Sequence, residues 1–223
     1  MNCPICEKRK APRYCPAKGE RICAVCCGRE REVSIDCPAD CGYLLAAHRY
    51  EDQHQRDLPA DTPLLDAKIP RDAIYEHQSF LAGLAFAVAK FTAAHPETSD
   101  ADVLKAVEAL AETHKTLSSG ILYEKPPAAL LSRELYGALA AFVADARRKS
   151  PGDGEAQTTS PVSVGAPATI KDSEIFALLV FLYRMGLLRT NGRPRARRFV
   201  EFLRGQFPGA PELKREESRI IVP

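Results

Sequence analysis

The chain has 223 residues, 45% of them hydrophobic and 27% charged, with a formal net charge of +2. That length suits one sizeable core with satellites. The longest uninterrupted apolar run, Ile175–Tyr183, is far short of a membrane span, so composition excludes a transmembrane protein.

The first chemical signal lies at the start. All eight cysteines fall within residues 1–41, at Cys3, Cys6, Cys15, Cys23, Cys26, Cys27, Cys37 and Cys41. Cys3/Cys6 and Cys23/Cys26 are C-x-x-C pairs, the spacing at which a tight turn offers two sulfurs to one tetrahedral ion. A secreted disulfide scaffold fits poorly, because Met1-Asn2-Cys3 shows neither a basic nor an apolar leader region and the rest of the chain lacks cysteine. A thioredoxin-like redox pair would need a βαβ context, which is missing here. Iron–sulfur ligation is a further alternative. Structural zinc is the reading adopted. Four sulfurs close one site, so eight make two zinc sites. Cys26 and Cys27 are adjacent and point different ways, so they serve different ions. The expected first site is Cys3, Cys6, Cys23 and Cys26, and the expected second is Cys15, Cys27, Cys37 and Cys41. Asp36 reads as an N-cap with Pro38 in the first turn, placing Cys37 and Cys41 on one helical face. The ligand order interleaves, which predicts a cross-braced module that depends on metal to fold.

Residues 3–27, CPICEKRKAPRYCPAKGERICAVCC, resemble the cross-braced zinc fingers of the HIT and MYND type. They differ at Lys18, where those fingers carry another cysteine, and in lacking the closing His–Cys pair. The stretch ICAVCCGREREVSIDCPADCGYL is similar to the opening of uncharacterised bacterial proteins with a CCG, RE-V-x-ID and CP-x-DC signature. The resemblance covers about a quarter of the chain. It implies metal binding, bacterial origin and, from the HIT and MYND fingers, protein–protein contact.

The middle of the chain reads as helices. Arg71–Ala94 carries Ile74, Leu81, Leu84, Val88 and Phe91 at helical spacing and ends before His95-Pro96. Ser99 and Asp102 form a capping-box pattern ahead of Val103, Val107, Leu110, His114 and Leu117, closed by Gly120. Ala128–Lys149 follows Pro126-Pro127, with Leu131, Leu135, Leu139, Phe142 and Val143 inward. The expected fold class is therefore mostly α: a cross-braced two-zinc module fused to an antiparallel helical bundle, plus a C-terminal helical hairpin. The expected boundaries are 1–57 for the zinc module and its helix, 58–149 for the bundle, 150–170 for a linker, 171–207 for the hairpin and 208–223 for a tail. Twelve of the twenty residues from Ser150 to Thr169 are Gly, Pro, Ser or Thr, hence the linker. Ile175–Tyr183 is apolar on every face and must be covered on more than one side. The hairpin is therefore expected to fold back on the bundle.

Catalytic signals are missing: there is no Walker A, G-x-G-x-x-G, G-x-S-x-G or H-E-x-x-H. Glu51–His54 has the E-x-x-H spacing of di-iron bundles but has no second copy. His114 reads as a satisfied histidine on an apolar helix, and His48 as a surface residue. The expectation is a non-enzymatic cytoplasmic protein with no small-molecule substrate identified and no membrane contact, with a monomer favoured and a homodimer as the alternative. Seven arginines and one acid lie between Arg184 and Arg204. Arg189, Arg193, Arg197, Arg198 and Arg204 are the expected nucleic-acid contacts, with Arg193, Arg197 and Arg204 forming an exposed stripe. The alternative is a protein–protein adaptor that docks through the zinc module or the apolar 175–183 helix.

Overall fold

The computed structural model describes residues 1–54, 57–148, 170–210 and 213. The expected linker apart from Ile170, most of the expected tail, and Lys149 lie outside the described residues. The protein is mostly helical. Its single sheet among the described residues is a two-stranded hairpin, β1 (Arg13–Cys15) with β2 (Glu20–Ile22). The strands are antiparallel, pairing Arg13 with Ile22, Tyr14 with Arg21 and Cys15 with Glu20. Gly19, at φ +67°, supplies the left-handed residue that turns the chain back.

Two helices complete the N-terminal module. In α1 (Ala24–Glu30), the Cys23 sulfur accepts the Cys26 N–H and caps the first turn. α2 is Gly42–Gln53. The expected start of this helix at Asp36 is corrected. Cys41 is the N-cap, and its N–H bonds back to the Pro38 carbonyl in a separate turn, so Cys37 and Cys41 do not share a helical face. The buried cluster around the cysteines is Cys3, Cys15, Cys23, Cys26 and Cys27 with Ala11, Ile22 and Ile35 as its other apolar members, and Leu44 of α2 is buried beside it.

The helical body begins with α3 (Arg71–Glu76) and α4 (Gln78–Ala94). A single helix was expected here. It breaks at His77, whose backbone leaves the helical region (φ −115°, ψ 28°) as its ring reaches Glu174 at 3.4 Å. α5 (Asp100–Leu117) starts at the expected capping box: Ser99 Oγ accepts from Asp102 N, and Asp102 accepts from Ser99 N. α6 is Leu130–Arg148 and α7 is Asp172–Arg189. α8 runs Arg198–Gly205.

One core joins these helices. It includes Leu84 and Val88 of α4, Val107 and Leu110 of α5, Leu135 and Leu139 of α6, Ile175, Leu178, Leu179 and Leu182 of α7, and Phe199 and Leu203 of α8. α5 packs most extensively on α7, with α6 on its other flank, while α8 lies mainly on α4. The all-round apolar run of α7 is thus covered on several sides, and the C-terminal hairpin does fold back. Each fully buried Leu or Phe contributes about 1.5–3 kcal/mol relative to exposure. Arg184 ties the segment before α3 to α7 by donating to the carbonyls of Leu64, Leu65 and Ala67.

Candidate metal centre

The first expected quartet comes together. The sulfurs of Cys3, Cys6, Cys23 and Cys26 all lie within 4.8 Å of one another, and Cys6 Sγ is 3.9 Å from Cys23 Sγ. Zinc–sulfur bonds of about 2.3 Å at tetrahedral angles place sulfurs about 3.8 Å apart, so the cluster has the right size. Local backbone explains why. The N–H of Glu7 bonds to the Cys3 carbonyl at 2.7 Å, and Glu7 takes φ +54°. That tight knuckle turns both Cys3 and Cys6 inward, and the first turn of α1 does the same for Cys23 and Cys26.

The electrostatics split these thiols. Cys6 is lowered to about 6, first by the backbone N–H of Lys8. Cys26 is raised to about 12, first by burial and then by the neighbouring sulfurs. A crowded set of thiols sheds protons at one member and retains them at another. A divalent cation is the partner that would let all four ionise. Arg9 lies 4.0 Å from Cys6 Sγ and offsets part of that negative charge.

The second quartet is looser. Cys15, Cys27, Cys37 and Cys41 line one cavity of about 10 Å³, together with Ile22, Ile35 and Leu44. A space of about that size holds a single water-sized occupant. Burial pushes the Cys37 thiol up, and the nearby Cys41 and Cys15 push the same way, while the Glu32 N–H opposes them. Among the described residues only the first quartet meets the 4.8 Å spacing. All eight cysteines are free of disulfides.

The five nominated arginines are only half-exposed, and each has an internal partner. Arg189 stacks on the Phe202 ring with its guanidinium carbon 3.4 Å from the centroid. Arg193 donates to the carbonyls of Gly28 and Arg31 at the C-terminus of α1. Arg197 pairs with Asp36 at 3.0 Å, and Arg198 pairs with Asp52. Arg204 donates to the Leu213 carbonyl at 3.3 Å. The exposed stripe of Arg193, Arg197 and Arg204 is therefore corrected. α8 starts at Arg198, so Arg193 and Arg197 belong to the connector, which wraps the module.

Sequence reasoning missed the centre of this junction, Glu32. It is 3% exposed and stands at φ +54°. It faces His48 Nε2 at 3.3 Å and accepts from Asn191 Nδ2 at 2.7 Å, while its carbonyl accepts from Arg195 N. Burial alone would raise the Glu32 carboxyl, but His48, Asn191 and Arg193 outweigh it and hold the group below its ordinary value. His48 is thus buried in the junction rather than a surface residue. His114 is satisfied as expected, by Asp172 at 2.7 Å. Glu51 and His54 line a polar cleft of about 320 Å³ between α2 and the connector, beside Arg193 and Arg198.

No helix among the described residues is long and apolar enough to cross a membrane. No protein-family model matches this chain, and no curated protein or solved structure matches it either.

Proposed function

We propose that this is a non-enzymatic zinc-binding protein with two structural zinc ions, whose N-terminal module serves as an interaction head held rigidly against a helical body. The observation that carries the reading is the four-sulfur cluster of Cys3, Cys6, Cys23 and Cys26. The second ion would sit among Cys15, Cys27, Cys37 and Cys41 around their shared cavity. Zinc would act as a four-way cross-link in residues 1–41, whose only buried apolar side chains besides cysteine are Ala11, Ile22 and Ile35. Those three contribute at most a few kcal/mol, far less than ordering about forty residues costs. Eight free thiols fit a reducing cytoplasmic setting, and the motif likeness to bacterial proteins stands on the same cysteines.

Exposed apolar side chains favour an adaptor role. Among the described residues, eight of the fourteen exposed large hydrophobics lie in residues 1–54: Met1, Ile5, Tyr14, Val25, Val33, Tyr43, Leu45 and Tyr50. The C-terminal arginines support nucleic-acid contact less, because their internal partners draw them toward the module. Elemental analysis of protein purified without chelator should give two zinc ions per chain, and Cys6→Ser and Cys37→Ser should each lose one. Under one zinc per chain, with thiols oxidised to disulfides, overturns the metal reading. The adaptor role predicts a partner that survives nuclease and high salt and is lost in Tyr43→Ala/Tyr50→Ala. Retention by that variant removes the α2 face from the interaction.

A further inference from the structure

We propose that the outer face of the β1–β2 hairpin, with the knuckle before it, binds single-stranded nucleic acid through Lys8, Lys10, Arg21 and Tyr14. This goes beyond the adaptor reading and rests on the metal reading only in that the hairpin is folded around its cysteines. The charge is local. Residues 1–23 hold six cations (Lys8, Arg9, Lys10, Arg13, Lys18 and Arg21) against two acids, Glu7 and Glu20. Several of these cations are engaged. Arg9 faces the Cys6 sulfur, Arg13 lies over the Tyr43 ring at 4.7 Å, and Lys18 pairs with Glu20 at 3.8 Å. The Lys8 and Lys10 amines make no ion pair among the described residues. Arg21 donates through one nitrogen to the Pro12 carbonyl at 2.8 Å, two residues along the chain from Lys10, and keeps donors to spare.

The aromatic ring decides the ligand class. Tyr14 is 54% exposed and stands directly across the hairpin from Arg21. Cross-strand neighbours have Cβ atoms about 5 Å apart, so the ring and the guanidinium work side by side. A base can stack on the ring while its phosphate takes the fork of the arginine. Duplex DNA hides its base faces, and an acidic peptide has no ring to stack. The surface therefore fits an unpaired strand. About three phosphate contacts are available.

The test is fluorescence anisotropy of a labelled 15-nucleotide oligouridylate against the full chain, titrated from 50 to 300 mM salt. We expect micromolar binding at 50 mM. The slope of log affinity against log salt should be about −2, from three contacts at about 0.7 each. Lys8→Glu/Lys10→Glu should weaken binding at least tenfold and flatten the slope by about 1.4, in keeping with two lost contacts. Tyr14→Ala should weaken it roughly tenfold and leave the slope alone, the mark of lost stacking. The lysine pair lies outside the cavity of the second quartet, so its zinc content and melting temperature should match the parent; Tyr14 also lines that cavity, so Tyr14→Phe, which keeps the ring, should retain both zinc and binding. Full zinc content with no binding at 50 mM overturns the proposal, as does unchanged affinity in the lysine variant. Equal binding of polyglutamate, indifferent to Tyr14, also overturns it, in favour of an acidic protein partner. Low zinc content with binding retained overturns the metal reading instead and supports this surface.

Discussion

At the residue scale, Asp100 and His114 show opposite uses of a buried polar group. Asp100 is fully buried, and its Oδ1 accepts the N–H groups of Phe199 and Val200, capping α8 from a different helix. Burial raises its carboxyl despite those bonds. Burial therefore disfavours the charge, while the acceptor is needed. Asp100→Ala should cost about 2 kcal/mol, because two buried donors lose their partner. Asp100→Asn retains an acceptor and should be near neutral. Urea midpoints distinguish the two outcomes. His114 behaves differently: burial lowers it, and Asp172 only partly compensates. Its folded value lies below the ordinary 6.5, so the unfolded chain binds more protons as pH falls. His114 therefore contributes stability that is full above pH 6.5 and lost as pH falls through the folded value. The window just below pH 6.5 is shared with Cys6, lowered to about 6, and with the carboxyls of Asp100, Glu108 and Glu201, which burial raises and which act in the opposite sense, so the histidine is isolated by comparing variant with parent. As pH falls across that window, His114→Gln should lose less stability than the parent, because the groups common to both cancel in the comparison. A variant with the same slope as the parent rejects the assignment.

At the element scale, helices with a clean apolar period and local caps were legible. The Ser99–Asp102 box starts α5, and the Ile175–Tyr183 run is the buried centre of α7. Boundaries set by distant residues were not legible. α4 begins late because of His77 beside Glu174, and the first turn of α8 is capped by Asp100, 99 residues away from Phe199. Glu32 was missed for the same reason. Its partners His48 and Asn191 are 16 and 159 residues distant, and no local pattern marks a carboxylate for burial. The spacing of the four cysteines in the tight cluster was legible because knuckle turns are local. Gly186 tests the packing of α7 directly. A Cβ there would meet Phe199 at 2.7 Å and Leu104 at 2.8 Å. Alanine gains about 1 kcal/mol of helix propensity over glycine, but overpacking costs about 1–3 kcal/mol. Both clashing atoms belong to side chains at a packed three-helix contact, so overpacking should win. Gly186→Ala should lower the melting temperature, and an increase would show that the contact is loose.

At the scale of the whole molecule, the cysteine-rich module and the helical body have different sources of stability and a polar seam between them. The body buries a continuous apolar core, while the module buries mainly sulfur. The seam is made by the connector after α7. Arg193 grips the end of α1, Asn191 and Arg195 bond to Glu32, and Arg197 and Arg198 pair with Asp36 and Asp52. Glu32 and Asp36 are held in place by chain that the cysteines organise, since they lie between Cys27 and Cys37, while Asp52 sits on α2 beyond Cys41. Removing metal should therefore unfold the module and free the connector, while the body stays folded on its own core. Amide hydrogen exchange after chelation should show lost protection in residues 1–41 and around 190–198. Amides in α4, α5 and α7 should keep theirs, and most of the helical circular dichroism should remain. Restoring zinc should return protection to both segments together, because they share the seam. If chelation abolishes protection throughout α5 and α7, module and body form one cooperative unit and the seam is no boundary. If residues 190–198 stay protected in the metal-free chain, the arginines are held by the body alone and the module contributes nothing to their seat.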